Sequence, residues 1–104
     1  MDIQFNTDNN AEGKQAFEIY MSEYIAESLD RFSTHITRVE VHVSDENGNK
    51  KGPKDKRCVI EARLKGMEPI AVTGQEDSIK KAVNEAVGKM RATLTSKIGK
   101  LKTH

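Results

Sequence analysis

Between Glu76 and His104 the chain carries seven basic residues, Lys80, Lys81, Lys89, Arg91, Lys97, Lys100 and Lys102, against three acids, and after Glu85 every charge is positive. The chemistry open to such a run is electrostatic, because ammonium and guanidinium groups bind phosphate and displace its counterions. The same lysines would also keep an exposed helix soluble and suit the negative end of its dipole. At about 100° per residue, Lys80, Arg91 and Lys102 fall on one flank of an apolar stripe, with Asn84 among them. Lys89 and Lys100 fall on the other flank. Lys97 falls within the stripe and is free only if the helix projects past whatever it packs against.

A second basic group, Lys50, Lys51, Lys54 and Lys56, sits in a polar, glycine-containing stretch. It reads either as a solvated loop tip or as an arm that follows a nucleic-acid backbone. Arg38 and His42 alternate with valines on the outward face of a strand and complete the candidate phosphate-binding set. No catalytic constellation accompanies them. His35, His42 and His104 are dispersed, and Cys58 lies on the apolar face of a strand, where a thiol is packing material rather than a nucleophile. No Cys/His spacing suits zinc, and the glycines do not form a phosphate-binding loop before a helix. The expectation is a non-enzyme without cofactor or metal.

The elements that position these residues follow from periodicity. Asp2 to Asn6 alternates and places Ile3 and Phe5 on one face of a short strand. A helix begins between Asn10 and Gly13, with the stripe Phe17, Tyr20, Met21, Tyr24, Ile25 and Leu29, and Phe32 at its margin. The two tyrosines are candidates for stacking on bases, but at this spacing they fit the core. Ile36 to Ser44 is a strand with Val39, Val41 and Val43 inward. Residues 46–55 are expected to be a mobile hairpin loop. Arg57 to Lys65 is a strand with Cys58, Ile60, Ala62 and Leu64 on one face, and Ile70 to Thr73 is a short last strand. The stripe Ile79, Val83, Val87, Met90, Leu94, Ile98 and Leu101 then predicts one long helix. Gln75 to Ser78 supplies its start signals, and Asp77 or Ser78 its cap. The fold class is α+β, in the order β-α-β-β-β-α: a four-stranded, mostly antiparallel sheet with two helices on one face.

With 104 residues, 36% hydrophobic and 32% charged, the chain is one thinly cored domain, residues 1–104. No apolar run approaches the ~20 residues of a membrane span, and the first residues lack the layout of a signal peptide. One cysteine excludes an internal disulfide and fits a reducing cytoplasm. The net charge of +1 hides an asymmetry: −5 in residues 1–31, +2 in 32–75 and +4 in 76–104. A basic end on a near-neutral chain suggests a directed anionic partner.

Two stretches carry a resemblance. Ile36-Thr37-Arg38-Val39-Glu40-Val41-His42-Val43, running through Asp45-Glu46-Asn47-Gly48 to Asp55-Lys56-Arg57-Cys58 and Glu61-Ala62-Arg63, is one. Lys89-Met90, Leu94-Thr95 and Lys100-Leu101-Lys102-Thr103-His104 are the other. Together with the element order they resemble the short form of the hibernation-promoting-factor and ribosome-associated-inhibitor family, the sigma-54 modulation proteins. The resemblance implies a fold similar to double-stranded-RNA-binding domains. It also implies a cytoplasmic, monomeric bacterial factor of stress and stationary phase, with no membrane or small-molecule substrate. Such a factor inhibits translation by binding the small ribosomal subunit and its ribosomal RNA where messenger and transfer RNA pass. Lys89, Lys97, Lys100 and Lys102 are the RNA-binding positions it transfers, whereas Ala92 and Ser96 stand where family members are basic. The other reading is a diverged protein-protein interaction module of the same fold, acting through its acidic first helix.

Overall fold

A computed structural model describes residues 1–7, 14–45 and 55–102, the side chains of Lys14 and of residues 100–102 excepted. The order is β1 (Asp2–Thr7), α1 (Lys14–Ser28), a 3₁₀ turn (Asp30–Phe32), β2 (Ile36–Asp45), β3 (Lys56–Leu64), β4 (Ile70–Glu76) and α2 (Ile79–Lys102). The four strands form one sheet in the order β1-β2-β3-β4. β1 runs parallel to β2, while the β2–β3 and β3–β4 pairs are antiparallel. The expected α+β fold and its element order are thus present.

Strand alternation assigns the faces. Register aligns Ile3, Val39, Ala62 and Ile70 in one row, and Phe5, Val41, Ile60 and Val72 in the next. These rows meet Met21 and Ile25 of α1, Leu29 just past its end, and Ala82, Val83, Ala86, Val87, Met90, Leu94 and Ile98 of α2 in one core. Phe5 meets Phe17 edge-on, ring centroids 6.3 Å apart, which ties α1 to the edge strand. Between β3 and β4 the chain turns through Gly66, whose φ of +68° falls in the left-handed region that favours glycine.

Three expectations need correction. β4 extends to Glu76, so Gln75 and Glu76 are strand rather than helix start. The reason lies at Gly74, where a β-carbon would sit 2.2 Å from the Ala82 carbonyl oxygen and 2.8 Å from the Ala86 nitrogen. The strand continues because a glycine lets the helix backbone rest directly on it. Ser78 is the cap, its hydroxyl accepting from the Lys81 amide at 3.2 Å. Tyr20 is 56% exposed rather than packed in the core. It lies about 100° around α1 from the centre of the arc set by Phe17, Met21 and Ile25, outside the width of the buried face. Lastly, Asp55 is not loop-like: it is buried and pairs with Lys56 at 3.0 Å. The rest of the loop expected to be mobile, and residues 10–13, where α1 is expected to begin, lie outside the described residues.

Candidate nucleic-acid interface

α2 crosses the sheet with its apolar stripe down, so its cations are set by their angle to that stripe. Lys80 and Arg91 emerge on the side of α1 and are exposed. The Lys80 ammonium lies 5.2 Å from the centre of the Tyr20 ring, a cation–π contact across the seam between the two helices. Farther along that seam the Tyr24 hydroxyl donates to Asn84 Oδ1. At its far end Arg31 donates from Nη2 to Thr95 Oγ1 at 2.6 Å, and the Thr95 hydroxyl donates to the Arg91 carbonyl at 2.8 Å. The Arg31 guanidinium stacks 4.6 Å from the Phe32 ring centre. Lys97 is exposed although its neighbour Ile98 is buried. Lys80, Arg91 and Lys97 have no ion-pair partner among the described residues. Lys100 and Lys102 belong to the last turn of α2, and their side chains are not described.

Lys89 differs. It leaves the opposite flank, over the edge of β4, where its ammonium donates to the Thr73 carbonyl at 2.8 Å and pairs with Glu85 at 3.4 Å. Glu85 in turn accepts from the Gln75 amide at 3.2 Å. That amide bond, with Lys89 beside it, holds the Glu85 carboxyl below the ordinary glutamate range. Lys89 therefore shields a free strand edge as much as it offers a charge to solvent.

Arg38 and His42 lie on the sheet face turned away from both helices. Arg38 donates to Gln4 and pairs with Glu40 at 3.6 Å, and Arg63 pairs with Glu40 at 3.6 Å and Glu61 at 3.3 Å. The open face is thus charge-compensated, unlike the helical face. Of the loop group, Lys56 is the first residue of β3 and bonds to Asp45 at 3.1 Å as well as to Asp55. The bonds to Asp55, then Asp45, raise its pKa. Lys50, Lys51 and Lys54 lie outside the described residues.

The sequence-derived set therefore divides into the seam, the β4 edge, the open face and the loop. Arg31 and Thr95 join the seam although the sequence gives no local signal for them, and Tyr20 joins it from a stripe in which core packing is expected. Arg31 and Thr95 stand 64 positions apart, and only the tertiary fold brings them together. Cys58 is fully buried, which pushes its thiol up to about 12 and makes it unreactive at neutral pH. Among the described residues no three His, Cys, Asp or Glu side chains converge as metal ligands, and no helix is long and apolar enough to cross a membrane.

Several solved structures share the fold. The Thermus thermophilus Protein Y N-terminal domain matches with a TM-score of 0.71 and 23% identity, over 92% of this chain and 98% of that one. A ribosomal subunit interface protein from Coxiella burnetii matches with a TM-score of 0.70 and 16% identity, over 95% and 99%. Comparison with curated proteins gives no significant match. The family model for sigma-54 modulation protein / S30EA ribosomal protein matches residues 6–102, nearly the whole chain, and the protein belongs to that family.

Proposed function

We propose that the protein is a ribosome-associated translation inhibitor that lays the exposed side of α2 on ribosomal RNA of the small subunit and so obstructs the path of messenger and transfer RNA. The observation that carries this reading is the set of exposed, uncompensated cations on α2, Lys80 and Arg91 beside the α1–α2 seam and Lys97 farther along the helix on its other side, on a chain of an S30EA ribosomal protein family. One fold neighbour is itself a ribosomal subunit interface protein. The factor acts in the cytoplasm as a monomer and performs no catalysis; its partner is recognised by charge and shape.

Cosedimentation with purified small subunits tests it. The parent chain should pellet with the subunits at low salt. A chain carrying Lys80→Glu, Arg91→Glu and Lys97→Glu should stay in the supernatant with an unchanged circular-dichroism spectrum. A parent chain that does not pellet ends the reading. The exposed Ile19 and Tyr20, close to Glu23 and Glu27 on α1, then become the surface on which to seek a protein partner.

A further inference from the structure

Where the 3₁₀ turn meets the last third of α2, the surface holds a pocket of about 340 Å³ lined by Arg31, Phe32, His35, Thr95, Ile98 and Gly99. We propose that this pocket takes one unpaired nucleotide of an RNA strand. The proposal rests on the ribosomal reading and deepens it by naming the point where a single base is held.

The walls favour that occupant. Phe32, Ile98 and Gly99 supply apolar surface, Arg31 and His35 supply nitrogen donors, Thr95 a hydroxyl, and among the described residues no carboxylate lines the pocket. The Arg31 guanidinium is fixed from two sides, by its bond to Thr95 and its stack on Phe32. A guanidinium plane held in place is a stacking surface for a splayed base, and its charge also attracts the attached phosphate. Fixing it beforehand reduces the ordering cost of binding. The volume stands at the low end of the ~300–1,000 Å³ of small-ligand sites, enough for one nucleotide and too small for a duplex. Arg91, whose carbonyl anchors Thr95, lies one turn away on the same flank of α2, so the strand leaving the pocket meets a further cation. A smaller hollow of about 150 Å³, bounded by Tyr20, Tyr24, Lys80 and Asn84, opens at the other end of the seam. From Lys80 to Thr95 α2 rises about 22 Å at 1.5 Å per residue, so the two hollows frame a track several nucleotides long.

The test uses the full chain and a single-stranded RNA pentamer with 2-aminopurine at its centre, whose emission is quenched on stacking. The parent chain should quench it. Gly99→Leu should weaken binding at least tenfold: a β-carbon there meets nothing within 4 Å, so the side chain fills the pocket without disturbing the fold, and leucine favours the helix over glycine. Arg31→Lys keeps the charge, removes the plane, and should also lose the quenching. The same pentamer in a duplex should not be quenched, and adenosine monophosphate should compete only weakly. The proposal is overturned if both variants bind within twofold of the parent, if duplex binds as well as single strand, or if the mononucleotide competes as well as the pentamer, which would make the site one for free nucleotides. Cosedimentation separates the two readings. If Gly99→Leu and Arg31→Lys quench normally while the charge-reversed helix no longer pellets with subunits, the pocket fails and the ribosomal role stands. If quenching depends on Gly99 but the parent chain does not pellet, the ribosomal role fails and the pocket stands as an RNA site.

Discussion

Gly74 and Cys58 show how single positions serve the packing beneath the cationic face. Because a β-carbon at Gly74 would press on backbone atoms of Ala82 and Ala86, no side-chain rotation relieves it, and α2 must lift from β4. Gly74→Ala should therefore cost about 2–3 kcal/mol, as overpacking does, and lower the melting temperature by roughly 10 °C or more for a domain of this size. A melting temperature unchanged within 2 °C would show that the helix does not rest there. Cys58 makes a prediction of the opposite kind, about pH. Its thiol titrates near 12 in the fold against an ordinary value of 9.0, so between those values the unfolded chain has lost a proton that the folded chain keeps. The unfolded state then binds fewer protons, and stability must fall as pH rises through that window, by up to about 1.4 kcal/mol per unit. Lysines also titrate there, so the comparison is with Cys58→Ala. The variant should start less stable at pH 8, from the lost packing, and its deficit should shrink toward pH 11. A deficit constant with pH would contradict the buried thiol. In the parent at neutral pH, thiol reagents should label Cys58 only as fast as the chain opens.

At the scale of elements, α2 is held in three ways: its stripe on the sheet, its cap at Ser78, and the bridge from Glu85 to the end of β4. Val87→Asp tests the first. Val87 is 2% exposed, so the carboxylate would be buried without a partner, a cost of roughly 3–5 kcal/mol out of the ~5–15 kcal/mol that keeps a small domain folded. Retention of the parent's melting temperature would refute the packing. Glu85→Gln tests the bridge. Its carboxyl titrates below the usual range, so its contribution is present above about pH 4.3 and is lost as pH falls through the lower folded value. The variant should be less stable than the parent at pH 7, and the two should converge as Glu85 becomes protonated. These elements were largely legible in the sequence, because periods of two and of three to four each mark one buried face. Valines at 39, 41 and 43 and the stripe from Val83 to Ile98 needed no further information. What escaped was whatever depended on how two elements meet. Gly74 looks like the end of a strand unless one knows that Ala82 and Ala86 lie above it. Tyr20 looks like core unless one knows where α1 is centred on the sheet. The cations of α2 were readable as a set, but their division into a seam group and the edge-covering Lys89 required the position of β4.

For the whole molecule the decisive contrast is between its two faces. On the open sheet face Arg38 and Arg63 are balanced by Glu40 and Glu61 at 3.3–3.6 Å, so a polyanion approaching there meets little net charge. On the helical face Lys80, Arg91 and Lys97 are uncompensated by any described acid, and Arg31 stands beside them at the seam. Binding of RNA through the helical face should release counterions in proportion to the phosphates neutralised. With about four to six contacts, counting the terminal lysines, the logarithm of affinity should fall against the logarithm of salt concentration with a slope of roughly −3 to −5. The slope should shrink by about one unit for each of Arg91→Gln and Lys97→Gln, because each removes one phosphate contact. Arg63→Gln on the open face should leave it unchanged, and Gly99→Leu should weaken affinity at every salt concentration without altering the slope, since it removes stacking and no charge. Titrations of a longer 2-aminopurine strand, which offers enough phosphates for these contacts, between low and physiological salt measure all four. If Arg63→Gln flattens the slope while Arg91→Gln does not, the polyanion sits on the sheet, and the helical face has another use.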